Sequence, residues 1–515
     1  MIKNNKKKFL TLGVLATMSL FSVACGSDTS TGAGERDRLI VAQGGDAVSL
    51  DLHAANDSSS SQVTAQIFET LIRQDENMQL VPGLAKEWRQ IDELTWEFDL
   101  LEGVKFHNGE TLTANDVAFT LKRAVEAPQI AAIVSEIDPE GIKVIDDHTI
   151  QISTFEPFAP ILAHLAHTVT GIMSEVAVTE MEAEDINVGQ NPIGTGPFEF
   201  VSWNAGDQIT LKRFEDFHGE APAFNELVIR VITETSNRFI ELETGAIDVA
   251  LNVGPSDLPR FETNDNLTLL TGANLSTAYI GFNMNKEPFD DVRVRQAINY
   301  AVDVEAIVNH VLDGVGEVAQ GPIGQNVWGA ASGLRTYDFN LERAKELMAE
   351  AGLEDGFETT IWTNENTERV QIITAIQAQL REIGINARVE QMEWGAYLER
   401  TAAGEHEMFI LGWGSVTGDA DYGLFPLFHS SVPAAAGNRT FFANDRVDEL
   451  LETARASVDQ EERLALYAEV QEIVMNEAPW LFLTTGETNV GVSSHVRGLI
   501  LSPAQHHRLS TIYFE

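Results

Sequence analysis

Two carboxylates two residues apart, Asp419 and Asp421, sit in the run "GWGSVTGDADYGLFPLFHS" (412–430). Glycines break this run at four places, so it reads as a loop at a strand end rather than a helix. Paired acids in such a loop suit a metal ion, acid/base catalysis, or a grip on a cationic group. A calcium loop starting at Asp419 needs Gly at its sixth position and Glu at its twelfth. The chain has Leu424 and Ser430 there, so that reading fails. For catalysis, neither Gly-x-Ser-x-Gly nor His-Glu-x-x-His occurs anywhere. No positive sign of a catalytic partner accompanies the pair. Of the 12 histidines only His506 and His507 are adjacent, and neighbours on a strand ligate one ion poorly. No catalytic residue, metal or cofactor is expected. The cation grip remains, beside the plain alternative that Gly-Asp pairs are common turn formers.

The elements around this loop mix helix and strand. "TWEFDL" alternates Trp96, Phe98 and Leu100 as a half-buried strand does. "TANDVAFTLKRAVE" puts Val117, Leu121 and Ala124 on one helical face after an Asn/Asp start. "TAIQAQLREIGINARVEQM" reads as a helix stopped at Gly384, then a strand with Ile385, Ala387 and Val389 on one side. "ERLALYAEVQEIVMNEAPW" is a long helix ended by Pro479. Helix-then-strand units of this kind indicate an α/β class.

The chain has 515 residues, 44% of them hydrophobic, enough for two to four domains. Its formal net charge is −44, which disfavours nucleic acid, because phosphate binding needs a clustered basic face. The only lysine run is "MIKNNKKK", followed by the apolar stretch Phe9–Ala24. That is the layout of an export leader over 1–24, too short for a comfortable membrane span. The stretch ends at Cys25, the sole cysteine. Cleavage before Cys25 with lipid on its sulfur resembles bacterial lipoprotein processing, although Ser22 stands where a Leu-like residue is usual. The body is then expected on the outer face of the cytoplasmic membrane, held by its lipid. "GSDTSTGAGER" completes a small, polar tether over 25–36. Loss of the leader's lysines leaves 30 basic residues against 78 acidic ones, a highly solvated surface suited to saline or alkaline surroundings.

Four stretches in order carry a family likeness: "LAKEWRQIDELTWEFDLLEGVKFHNGETLTANDVAFTLKRA" (84–124), "PIGTGPFEFVSW" (192–203), "GFNMNKEPFDDVRVRQAINYAVD" (281–303) and "YDFNLERAKELMAEAGLEDGF" (337–357). Together they resemble the bacterial extracellular solute-binding proteins of family 5, the dipeptide, oligopeptide and nickel type. The resemblance implies an α/β, two-lobed, periplasmic-binding-protein-like clamp with a hinge. It places the first lobe at 37–275 plus 488–515, an extra subdomain of that lobe at about 58–190, and the second lobe at 276–487.

The resemblance also implies site residues. Dipeptide binders of the family hold the ligand's ammonium with an Asp three residues after a Gly-Trp. That position here is Val416. "TGDADYGLFPLFHSS", "LHAANDSSSSQVTAQIFETL" (52–71) and "TTIWTNENTERVQIITAIQAQL" (359–380) look like the glutathione-binding branch instead. Asp419 or Asp421 is then expected at the ammonium. Arg369, offering a planar fork, is expected at a carboxylate. Asn56, Asp57 and Ser58 are expected to face the cleft from the first lobe, and Trp413 to wall it. "GTGPF" (194–198) reads as a structural turn rather than a donor loop. The implied role is that of a monomeric, lipid-anchored binding protein. It captures glutathione or a small peptide, and less readily a nickel complex, for an ATP-binding-cassette permease and its ATPase subunits.

Overall fold

Two long strands run through the whole architecture, Leu267–Phe282 and Trp480–Ser493. The computed structural model describes residues 36–515; the leader, Cys25 and the tether up to residue 35 lie outside them. The two strands pair antiparallel from Leu267↔Ser493 to Gly281↔Trp480. Their register breaks between Ala273 and Thr277, opposite Glu487 and Thr485.

On one side of the break the sheet continues through Val249–Ala250, Arg38–Gln43, Glu226–Val231, Gln208–Arg213 and Phe198–Asn204. On the other it continues through Met408–Gly414, Phe357–Asn364 and Ile385–Met392. With the short strand Glu317–Val318 this makes an 11-stranded mixed sheet among the described residues. Each half carries its own apolar core. Leu39, Val41, Phe198, Phe224 and Ile229 fill the first lobe. Phe282, Ile298, Ile361, Ile385 and Met408 fill the second.

A third core lies under a separate 4-stranded sheet of Ala85–Gln90, Thr95–Leu100, Thr149–Ser153 and Lys143–Asp146. The helix Ala114–Val125 packs on it, with Val117, Leu121 and Ala124 fully buried beside Phe98 and Ile150. The helix starts at a capping box in which Thr113 and Asp116 satisfy each other's backbone ends. This is the face and the start predicted from the sequence.

The helix Thr367–Leu380 ends in a tight turn at Gly384, which sits at φ +80. The strand Ile385–Met392 follows, with Ile385 and Ala387 buried and Val389 half-buried. Gly356 lies against that turn, also at positive φ, where a Cβ would come within 1.9 Å of the Gly384 carbonyl oxygen. Only glycine fits so close a backbone approach.

One expectation is corrected. The stretch after Asp419 is a helix, Ala420–Phe428, despite Gly423 and Pro426. Asp419 is its N-cap, accepting from the Asp421 backbone N–H, and all nine helical residues are buried. Burial from every side outweighs a poor local propensity.

Candidate ligand-binding cleft

The strand Met408–Gly414 delivers Trp413 opposite Thr277, beside the register break. The chain then turns through Gly418, at φ +76, into the Asp419 cap. Asp419 meets the Arg463 Nη2 at 2.8 Å, and Arg463 also lies over the Trp328 ring. Burial pushes the Asp419 carboxyl up, and Arg463 offsets part of that. Asp421 has no exposed surface. Its oxygens accept from Arg455 Nε at 2.9 Å and His164 Nε2 at 3.1 Å. Burial by itself would raise the Asp421 carboxyl; Arg455 and His164 outweigh it and hold it at about 2. Both acids therefore have partners from this chain, and Asp421 has no face open to a ligand.

The first lobe reaches this wall through two polar contacts. Asn56 Nδ2 donates to the Tyr422 hydroxyl at 3.0 Å. Trp394 Nε1 donates to Asp57 at 3.3 Å. Asp57 also caps the helix Ser58–Ile67 through the backbone N–H groups of Ser59 and Ser60. Burial raises its pKa, and those hydrogen bonds oppose the rise. Ser58 is exposed. Trp413 stacks obliquely on Tyr422 at 5.2 Å and donates to its carbonyl, so it belongs to the same wall. The structure thus brings Asn56 and Asp57 against the second lobe.

Arg369 lies at the start of the helix Thr367–Leu380, whose Asn366 cap fixes the turn. Its guanidinium stands over the Trp394 ring at 5.5 Å and donates to Asn364 at 3.1 Å. No carboxylate pairs with it among the described residues. It keeps accessible surface, yet desolvation by burial pulls its pKa down. Its neighbour Glu368 likewise keeps surface, makes no hydrogen bond among the described residues, and has its carboxyl raised by burial.

Sequence reasoning missed several of these groups. Trp394, Tyr422 and Glu368 carry no motif, although Tyr422 lies inside the stretch singled out. Arg439, in the small-residue loop "AAAGNRTFF", is buried near the same wall with nothing in its neighbours to flag it. "GTGPF" is a structural turn: a Cβ on Gly194 would meet the Ile67 carbonyl oxygen at 2.2 Å. No group of acids, histidines or cysteines able to hold a metal ion occurs among the described residues. No helix among them is long and apolar enough to cross a membrane.

Comparison with known proteins gives the class of this cleft. Residues 79–434 match the model of bacterial extracellular solute-binding proteins, family 5. The chain is 30% identical over 472 residues to the dipeptide-binding protein of Escherichia coli, covering 85% of this chain and 86% of that one. It is 31% identical over 476 residues to the glutathione-binding protein GsiB of Pectobacterium atrosepticum, covering 90% and 91%. Its fold matches the ABC transporter-associated periplasmic binding protein DppA from Helicobacter pylori, in complex with the peptide STSA. The TM-score is 0.88 at 30% identity, covering 93% of this chain and 98% of that one. The chain belongs to family 5 of the bacterial extracellular solute-binding proteins and is a solute binder, not an enzyme.

Proposed function

We propose that this protein captures a small peptide, glutathione or a similar γ-glutamyl peptide first among them, and hands it to the permease of an ATP-binding-cassette importer. One observation carries the reading: Arg369 is a half-buried guanidinium with no ion pair among the described residues, felt only at longer range by its neighbour Glu368, and it stands over Trp394 where Asp57 meets that ring. An unpaired buried charge costs several kcal/mol, roughly, and an incoming carboxylate removes that penalty. The fork geometry makes the pairing directional.

In this reading the ligand's ammonium meets Glu368, whose carboxyl makes no hydrogen bond among the described residues and feels Arg369 and Arg238 only through space. Asp419 and Asp421 act indirectly, holding the wall of Trp413 and Tyr422 in place. The lobes swing about the register break at Ala273–Thr277, which spans the boundary at 275/276 and adjoins that at 487/488. The subdomain at about 58–190 closes with the first lobe. Ligand favours the closed form because only that form desolvates and pairs both of its ends. Lipid on Cys25 keeps the body beside the permease.

Calorimetric titration of the lipid-free body tests this, using reduced glutathione, dipeptides, tetrapeptides and Ni²⁺. Peptide heats that fall at least tenfold in affinity in Arg369→Met support the reading. Tight binding of Ni²⁺ alone, or peptide binding indifferent to Arg369→Met, overturns it. Asp419→Asn weakening ligand as strongly as Glu368→Gln would return the ammonium to Asp419.

A further inference from the structure

Arg439 is a second cation left without an anion. Its side chain is 92% buried, with relative exposure of 8%. Its one side-chain hydrogen bond runs from Nε to the Thr401 hydroxyl at 3.2 Å. Neither terminal nitrogen finds an acceptor among the described residues, and no acid pairs with it. Burial lowers its pKa, opposed only by the phenols of Tyr279 and Tyr397.

The placement of Arg439 relates it to Arg369. The helix Trp394–Ala402 carries Trp394, Tyr397 and Thr401 at i, i+3 and i+7, one face of the helix. Arg369 stands over Trp394 at one end of that face. Arg439 is anchored on Thr401 at the other end. Seven residues of helix rise about 10 Å, which sets the scale of the distance between the two anchors. Between them lies Tyr397, and the positive charges of both arginines reach the hydroxyls of Tyr397 and Tyr279. Tyr397 spends its hydroxyl on the Ile410 carbonyl, whereas the Tyr279 hydroxyl makes no hydrogen bond among the described residues. Two guanidiniums and a free phenol therefore share one wall. A span of about 10 Å corresponds to roughly three residues of extended chain.

We infer that Arg439 is a specificity-determining residue that binds a second carboxylate of the ligand, so that the cleft selects peptides bearing two carboxylates about three residue lengths apart. This rests on the peptide reading above and narrows it. A single-carboxylate peptide leaves Arg439 unpaired in the closed form and binds more weakly for that reason.

The test titrates wild type, Arg439→Met and Arg439→Lys with three probes: reduced glutathione, glutathione amidated at its glycine carboxylate, and trialanine. The expected result is that wild type favours glutathione at least tenfold over its amide. Arg439→Met abolishes that preference while changing trialanine affinity less than threefold. Arg439→Lys, with charge but no fork, recovers part of it. Removing an unpaired buried charge leaves the ligand-free melting temperature of Arg439→Met unchanged or higher. Equal weakening of all probes with a lowered melting temperature marks a structural arginine and overturns the inference. So does a wild type indifferent to amidation. Should no peptide bind, the peptide reading falls and this inference with it; should peptides bind with no dependence on Arg439, this inference alone falls. Should Arg439→Met not fold, the Arg439→Lys preference alone decides: an unchanged glutathione-to-amide ratio overturns the inference, a reduced one supports it.

Discussion

Asp421 and Arg455 form a buried ion pair at 2.9 Å, and the same guanidinium continues to Glu136 at 3.1 Å. Glu136 lies between the small-sheet strands Thr95–Leu100 and Lys143–Asp146, and His164 follows the strand Thr149–Ser153, whereas Asp421 and Arg455 belong to the helices Ala420–Phe428 and Asp445–Ala456. The pair is therefore a clasp between the small-sheet segment and these two helices, assembled from four residues spread over more than 300 positions. Arg455 also covers the Phe425 ring at 3.4 Å, which excludes water from the contact.

Removing one member strands a buried charge. Asp421→Asn and Arg455→Met are each expected to destabilise the ligand-free protein by about 3–5 kcal/mol. Glu136→Gln, at the partly exposed end, is expected to cost under about 1 kcal/mol. Urea midpoints of the three variants check the order. A Glu136→Gln cost equal to that of Asp421→Asn would show that the clasp is not centred on Asp421.

The clasp also sets an acid limit. The Asp421 carboxyl is held at about 2, below its ordinary 3.8. A carboxyl lowered by folding stabilises fully above its unfolded value, and the gain is lost as pH falls from 3.8 through about 2. At about 1.4 kcal/mol per pH unit the gain is about 2 kcal/mol. The stability gap between wild type and Asp421→Asn is expected to hold steady from pH 7 to about 4 and to narrow below that. Denaturant titrations at pH 7, 5 and 3 measure it; a gap that already narrows between pH 7 and 5 would contradict the assignment.

A lighter contact acts on closure alone. Asn56 donates to the Tyr422 hydroxyl across the cleft, while the Tyr422 ring packs edge-on against His164 and His167, contacts that a change at the hydroxyl leaves in place. Tyr422→Phe is expected to cost the closed form about 1 kcal/mol. Peptide affinity should drop about fivefold, mostly through faster release. Stopped-flow dissociation and a melting scan separate the two outcomes. A large fall in the ligand-free melting temperature would make the hydroxyl a folding contact instead.

Backbone crowding beside the helix Thr367–Leu380 gives a control in the scaffold. Gly103 and Gly356 share a positive φ, but only Gly356 has a carbonyl in the way of a Cβ. Gly103→Ala is expected to cost about 1 kcal/mol from φ alone. Gly356→Ala should cost clearly more, because the turn at Gly384 must move. Similar urea midpoints for the two would rule out the close approach.

What was legible in the chain followed from short-range periodicity and from the ordered family stretches. The spacing of Val117, Leu121 and Ala124 specifies a helical face, and Gly384 a helix stop, because both depend on neighbours a turn apart. The α/β class followed from the alternation of such elements, and the two-lobed fold was implied by the resemblance that the four ordered stretches carry. The loop at Asp419–Asp421 was not. Whether a carboxylate faces a ligand or a partner within the chain depends on which cations arrive from 34, 44 or 257 residues away, as Arg455, Arg463 and His164 do. Its helix, too, depends on burial from all sides rather than on propensity. Arg439 shows the converse: an arginine unremarkable in its own segment becomes a charge without a partner only once the helix Trp394–Ala402 and the loop around it are packed. Local spacing determined the elements of this protein. The pairing of its charges, and hence which of them remain for a ligand, was decided by tertiary contacts, because electrostatic partnership is a matter of distance in space and of desolvation, neither of which a linear spacing encodes.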